Sequence, residues 1–327
     1  MATLTLLGAI NNALDQQLEK DKTVAVFGED AGFEGGVFRV TAGLQKKYGK
    51  DRVFDTPISE AAIMGASVGM AANGMKPVAE IQFSGFMFPG FNQIAVHMAR
   101  MRNRSRGKYG LPIVVRMPYG GGVRALEHHS ESLETLFAHL PGLKLVIPST
   151  PYDAKGLMTA AIKDPDPVIF FEPKKIYRAF KQEVPEEEYE VEIGKARTVQ
   201  EGDDITVVAW GAMLHDVQKA VKQLEENDGL SVELIDLRTI APMDSETVIE
   251  SVKKTGRFVV VHEAVKTLGI GSELISRVNE GAFFHLEAQP TRVTAPDITV
   301  PLPKGEHHFT VDVKRIAQEI KKVATFE

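Results

Sequence analysis

Short apolar runs alternate along this chain with stretches in which apolar residues recur at helical spacing. That alternation is the signature of an α/β fold. The pattern predicts a helix from Leu4 to Lys20 and a buried strand at Val24-Ala25-Val26-Phe27 ending at Gly28. Ser59 is placed to cap a helix running to Asn73, with Gly74 as its stop. Strands are expected over Val78 to Phe83, Pro112 to Met117, Leu143 to Ile147 and Val168 to Phe171. A helix is expected from Phe91 to Arg104, and another opens at Pro151. A second α/β series follows, with strands at Ile205 to Ala209, Val232 to Ile235, Phe258 to Val261 and Arg292 to Thr294. Helices fit Met213 to Glu226, Asp244 to Lys254, Gly271 to Glu280 and Val311 to Val323.

Between the two series lies EVPEEEYEVE, Glu183 to Glu192, with six glutamates, one proline and no helical apolar face. It reads as an exposed crossing between an N-terminal domain over residues 1–187 and a C-terminal domain over 188–327. A length of 327 residues suits two such cores. The net charge of −6 argues against nucleic acid as a partner. The chain has no cysteine, which excludes disulfides, thiolate metal sites and a cysteine nucleophile. Met1 to Asn12 lacks the basic and apolar regions of a signal peptide, and no apolar run is long enough for a membrane helix. The expectation is a cytoplasmic protein.

Three stretches offer chemistry. Asp55-Thr56-Pro57-Ile58-Ser59-Glu60 ends a strand and starts a helix, which puts Glu60 in the first turn, where the dipole favours a carboxylate. A helix-start glutamate with no further role fits the same pattern. Phe83-Ser84-Gly85-Phe86-Met87-Phe88 sets aromatics after a strand, fit either to stack on a flat ring or to pack a core. Gly120-Gly121-Gly122 precedes Glu127-His128-His129-Ser130. Adjacent histidines point in different directions, so they suit one acid/base histidine, or a solvated loop, better than a zinc pair. Gly269-Ile270-Gly271 lacks the third glycine of a dinucleotide fingerprint, and His307-His308 reads as surface. The residues alone describe a two-domain α/β protein with a Glu/His site.

Eight motifs in order carry a resemblance over nearly the whole chain: GEDAGFEGGVFR from Gly28, DTPISE from Asp55, EIQFSGF from Glu80, MPYGGGVRALEHHSES from Met117, IPSTPYDAKGL from Ile147, FFEPKKIYR from Phe170, IDLRTIAPMD from Ile235 and KTGRFVVVHEA from Lys254. The sequence resembles the beta subunits of thiamine-diphosphate-dependent 2-oxo acid dehydrogenases, relatives of transketolase. GFEGGVFR, RNRSRGKY and ALEHHSE look most like the bacterial pyruvate-type subunits, with branched-chain 2-oxo acid and acetoin enzymes as alternatives. A non-catalytic scaffold subunit is the alternative of another class. Retention of Glu60, Phe86 and His129 together speaks against it.

The resemblance implies a pyrimidine-binding domain followed by a transketolase C-terminal-like domain, and an α2β2 assembly with thiamine diphosphate between alpha and beta chains. Thiamine serves such enzymes as an electron sink. Glu60 matches the carboxylate on the aminopyrimidine ring nitrogen, Phe86 the aromatic stacked on that ring, and Ile58 and Gln82 wall positions of the pocket. His129 matches the histidine that assists acyl transfer to lipoyl on the dihydrolipoyl acyltransferase. The diphosphate and its magnesium belong to the alpha chain through a Gly-Asp-Gly segment, which does not occur here. Ile113, Ala161, Ile162, Asp164 and Asp166 match a structural potassium site, with Asp166 where some relatives carry Asn. The chain departs from many relatives at 297–306, where they read an aromatic-rich segment.

Overall fold

The apolar runs between Val24 and Pro173 become one parallel sheet in the computed structural model, which describes residues 1–326. Six strands lie in the order Lys144–Val146, Val168–Pro173, Val114–Tyr119, Lys76–Glu80, Val24–Gly28, Val53–Asp55. Every neighbouring pair is parallel. Val24–Gly28, Val114–Tyr119 and Val168–Pro173 are buried along their whole length. Burial on both faces explains why they read as continuous apolar runs. From Val24–Gly28 the chain moves outward to Val53–Asp55, then returns to Lys76–Glu80 on the other side. Such a reversal opens a crevice outside the carboxyl ends of the strands, where ligands bind.

These strands belong to a compact unit made of Met1–Tyr119 and Leu136–Ile193. The helix Leu6–Lys20 packs on Pro151–Lys163. Thr5 starts the first by accepting from the Gly8 N–H at 3.2 Å, and Thr150 starts the second by accepting from Asp153. The first helix therefore begins at Leu6, and Ala2–Leu4 pairs antiparallel with Gln182–Val184. Ser59 flanks the helix Glu60–Ala72 without a side-chain capping bond. The single helix expected from Phe91 to Arg104 is broken into Phe88–Asn92, a π-helical stretch Gln93–Met98 and Met101–Arg104. Pro89 sets an earlier start, and the Ala99 N–H reaches back to the Ile94 carbonyl at 3.0 Å, a five-residue step that widens the helix.

The acidic run keeps its side chains mostly exposed, yet its backbone is strapped to this unit. Buried Lys155 donates to the carbonyls of Pro185, Glu186 and Glu187 at 2.6, 3.0 and 2.9 Å. Lys20 and Lys163 pair with Glu188, whose carboxyl is held down to about 2, chiefly by the Lys163 hydrogen bond. Composition does not show this strap, because the lysines come from helices far away in sequence.

The second unit comprises Gly120–Thr135 and the residues from Gly194 onward. The division falls between Ile193 and Gly194, against 187/188 from composition, and also assigns the 120–135 loop to the second unit. Its sheet runs Thr291–Ala295, Phe258–Val265, Ile205–Ala209, Val232–Asp236, Arg197–Gln200, parallel except for the last strand. Ala212–Asp228 packs with Val313–Ala324, and Ser245–Thr255 with Ile270–Ala282. Asp244 and Asp312 cap their helices through the N–H groups of Thr247 and Arg315. Gly269 and Gly271 serve packing, since a Cβ at either would meet the buried His262 ring at 2.6 or 3.0 Å. No helix among the described residues is long and apolar enough to cross a membrane.

Candidate active site

Three neighbouring strands of the first unit deliver polar side chains to one crevice edge. Val24–Gly28 leads into Glu29 and Asp30, Val53–Asp55 into Ile58 and Glu60, and Lys76–Glu80 into Gln82 and Phe86. Glu60 is the first residue of its helix and is half-buried. Among the described residues its carboxylate takes part in no hydrogen bond or ion pair. The nearby Glu29 carboxyl is pushed up by burial first, then by the charges of Glu60, Asp30 and Glu80. Gln82 donates to Asp30 at 3.0 Å. Phe86 is half-buried and edges against Phe83, with ring centroids 5.2 Å apart at 65°. Ile58 stands 85% exposed, unusual for an apolar side chain beside a crevice.

The structure brings these residues together through the helix Phe88–Asn92, which follows Phe86. A Cβ at Gly90 would lie 2.9 Å from the Glu60 carbonyl oxygen, so the first turn of the Glu60 helix rests on that glycine. Asp55, in the same motif as Glu60, instead accepts from the N–H groups of Gly32 and Phe33 at 2.6 and 3.0 Å and holds that loop.

Sequence reasoning missed the network beneath. Arg116 is fully buried, bidentate to Glu172 at 2.7 and 2.9 Å and bonded to Glu80, while the Tyr177 hydroxyl donates to Glu172. Two carboxylates around one guanidinium leave a surplus negative charge. Burial pushes Glu80 up, while Glu172 and Glu80 together keep Arg116 cationic against burial. The available signal was a charged residue within or at the end of each of three apolar strand runs, because a buried charge there must be paired.

His129 lies in the second unit, in a short 3-10 turn Glu127–His129. It is half-buried, with Nδ1 shielded from solvent. His128 is exposed and approaches Glu131 at 3.5 Å. In the same unit Glu134 is fully buried, and burial pushes its carboxyl up to about 7, with the Glu263 charge adding to the effect. His262, stacked on Trp210 at 5.5 Å, is held down to about 4 by burial and by Arg292. Sequence reading passed over both groups; His262 sits in a motif carrying the resemblance, and Glu134 lies two residues beyond another.

Of the positions matched to potassium, Ala161 and Ile162 lie in the last turn of the helix Pro151–Lys163, Asp164 and Asp166 follow it, and the Ile113 carbonyl accepts from the Val168 N–H at 2.9 Å. Ile113, Ala161 and Ile162 are buried, and the last carbonyls of a helix suit a hard cation. Asp164 pairs with Lys144 and accepts from the Asp166 N–H at 2.9 Å, while Asp166 pairs with Arg102. Among the described residues no cluster of three or more His, Asp or Glu side chains could hold a metal ion.

A parallel α/β unit with a helix-start carboxylate and an aromatic at its switch point, followed by a second, mostly parallel α/β unit, defines the transketolase-like class. Residues 2–179 match the transketolase pyrimidine-binding domain, and residues 194–316 match the transketolase C-terminal domain. These domains imply thiamine diphosphate binding. The fold is similar to that of a "split gene transketolase, inactive beta4 tetramer", with a TM-score of 0.80, 20% identity and 99% of both chains covered. The chain is 66% identical to the pyruvate dehydrogenase E1 component subunit beta of Acholeplasma laidlawii over 99% of each. It is 49% identical to that of Bacillus subtilis over 100% of each, and 57% identical to that of Mycoplasma pneumoniae over 92% of this chain and 91% of the relative. The chain belongs to the family of pyruvate dehydrogenase E1 component beta subunits.

Proposed function

We propose that this chain is the beta half of a pyruvate-decarboxylating, acetyl-transferring enzyme that works with an alpha subunit in an α2β2 heterotetramer. The names of the relatives favour pyruvate over branched-chain 2-oxo acids and acetoin. The neighbour described as an inactive beta4 tetramer fits a chain of this fold needing another subunit. The observation that carries the reading is the Glu60 carboxylate at a helix start, beside a half-buried aromatic and not engaged by any hydrogen bond or ion pair among the described residues.

The residues fit the pyrimidine half of thiamine diphosphate: an acceptor at Glu60, a flat face at Phe86, and walls at Ile58 and Gln82. When bound, the cofactor supplies an electron sink for decarboxylation. Glu60 would accept the hydrogen bond of the pyrimidine ring nitrogen and hold its proton there, with the helix dipole favouring the carboxylate. Phe86 would orient the ring by stacking. His129 would serve as proton donor when the acetyl group passes to the lipoyl disulfide of a dihydrolipoyl acyltransferase, and His128, drawn to Glu131, would contribute less. Diphosphate and magnesium fall to the alpha subunit, because no Gly-Asp-Gly segment occurs here. The potassium site belongs to the same reading, built on the helix-end carbonyls with Asp164 and Asp166 as acids already balanced by Lys144 and Arg102.

Glu60→Gln tests the reading in the reconstituted tetramer. An amide cannot stabilise the protonated ring as a carboxylate does. Turnover should fall by about a hundredfold or more, with the tetramer intact and KM little changed. Near-normal decarboxylation would remove Glu60 from the chemistry.

A further inference from the structure

The loop that carries His129 is held by two carboxylates from distant sequence. Glu306 is 4% exposed, and neither of its oxygens meets a lysine or arginine side chain among the described residues. Its Oε1 accepts from the Gly122 N–H at 2.5 Å and its Oε2 from the Arg124 N–H at 2.8 Å. Glu263 accepts from the Gly121 N–H at 3.0 Å. A buried carboxylate is costly unless donors satisfy it, and here the loop backbone supplies them.

The loop is shaped for this grip. Gly122 has φ +85° and Arg124 φ +57°, so the chain turns left-handed on both sides of Val123 and aims two N–H groups at one carboxylate, a concavity of the kind that binds anions. A Cβ on Gly120 would lie 2.6 Å from a Glu263 oxygen, and one on Gly121 3.2 Å from Glu306. The triple glycine is thus a close-fitting surface for two acids. Beyond it, the Gly120 N–H donates to the Glu131 carbonyl at 3.1 Å, and the His129 N–H to the Leu126 carbonyl at 3.0 Å. His129 sits in a closed loop whose entry arm is pinned at 121–124.

We propose that Glu306 is a positioning residue for acetyl transfer: its carboxylate fixes the glycine arm and thereby presents His129 to the incoming lipoyl group. The proposal rests on the acid/base reading of His129. It gives a role to a residue in the C-terminal segment 297–306, where the sequence departs from many relatives. Small displacements of a catalytic group cost rate steeply, so a slack arm should be felt in the histidine's step.

The test uses the reconstituted tetramer with Glu306→Gln, which keeps the size but sets an amide NH2 against one of the two backbone donors. Amide hydrogen exchange over 120–130 should quicken. The kcat for acetylation of a lipoyl domain should fall by about ten- to a hundredfold, while decarboxylation with a dye acceptor stays within about twofold. His129→Ala should lower acetylation, and the double variant should be no slower than His129→Ala, because both act through one group. Unchanged exchange, unchanged acetylation or additive losses would overturn the positioning role while leaving the histidine's role standing. Full acetylation by His129→Ala would sink the histidine reading and the proposal with it. Glu263→Gln, which loosens the hold on the Gly121 N–H, serves as second variant if Glu306→Gln fails to assemble.

Discussion

At the scale of single residues, burial and engagement distinguish chemistry from support. Phe86 is half-buried against Phe83 and keeps part of its ring open. Phe86→Ala should weaken cofactor binding to the reconstituted tetramer by about 1–3 kcal/mol, the scale of lost aromatic burial and stacking. A titration with an unchanged dissociation constant would return the ring to the core. Glu134 makes a contrasting prediction about stability. Neither of its oxygens is taken by a hydrogen bond of normal geometry, and burial raises its carboxyl from an ordinary 4.5 to about 7. A folded-state value above the unfolded one means that the native state binds the extra proton. Its contribution is fully present below the unfolded value and is lost as pH rises through about 7. Glu134→Gln should therefore raise the melting temperature at about pH 8 by about 2–6 °C and do little at about pH 5. Equal shifts at both pH values would refute the buried proton. Glu60 was legible in sequence as a helix-start acid, whereas Glu134 and Glu306 were not, because burial and backbone partners are properties of space.

At the scale of elements, the crevice depends on one tight contact between helices. Gly90 lets Phe88–Asn92 approach the first turn of Glu60–Ala72, and an added methyl would meet both the Glu60 carbonyl and Met64 Cγ at 2.9 Å. Gly90→Ala should force the helices apart, costing about 1–3 kcal/mol of stability. It should also weaken cofactor affinity by about tenfold, since Glu60 and Phe86 ride on the two sides of the contact. Wild-type affinity in a destabilised variant would show that the packing yields without moving the site. Most elements were legible, because continuous apolar runs and helical periodicity are local signals. The broken helix after Phe88 was not: an apolar stripe fits both an α-helix and one with a π-turn, and the Ala99 to Ile94 hydrogen bond is settled by what the turn packs against. Ser59 was legible as a helix start but not as a bonded cap, since its backbone adopts φ −164° with no capping hydrogen bond.

At the scale of the whole molecule, the proposed function makes the site at the ends of the first unit's strands half of one. Ile58 and Phe33 stand 85% and 82% exposed beside it, and no Gly-Asp-Gly segment occurs in the chain. The purified chain without an alpha partner should show neither tight thiamine diphosphate binding by calorimetry nor decarboxylation of pyruvate. Stoichiometric binding with turnover would overturn the half-site. The sequence by itself determined the α/β class, the parallel core strands of both sheets, the family, and Glu60, Phe86 and His129 as candidates, because apolar period and local motif are written in neighbouring residues. Only the tertiary structure decided that the His129 loop joins the second unit, that Lys155 straps the acidic run, that Arg116 is shared by Glu80 and Glu172, and that Glu306 grips the glycine arm. Each of these joins residues far apart in the chain, and only folding decides which donor meets which buried acceptor.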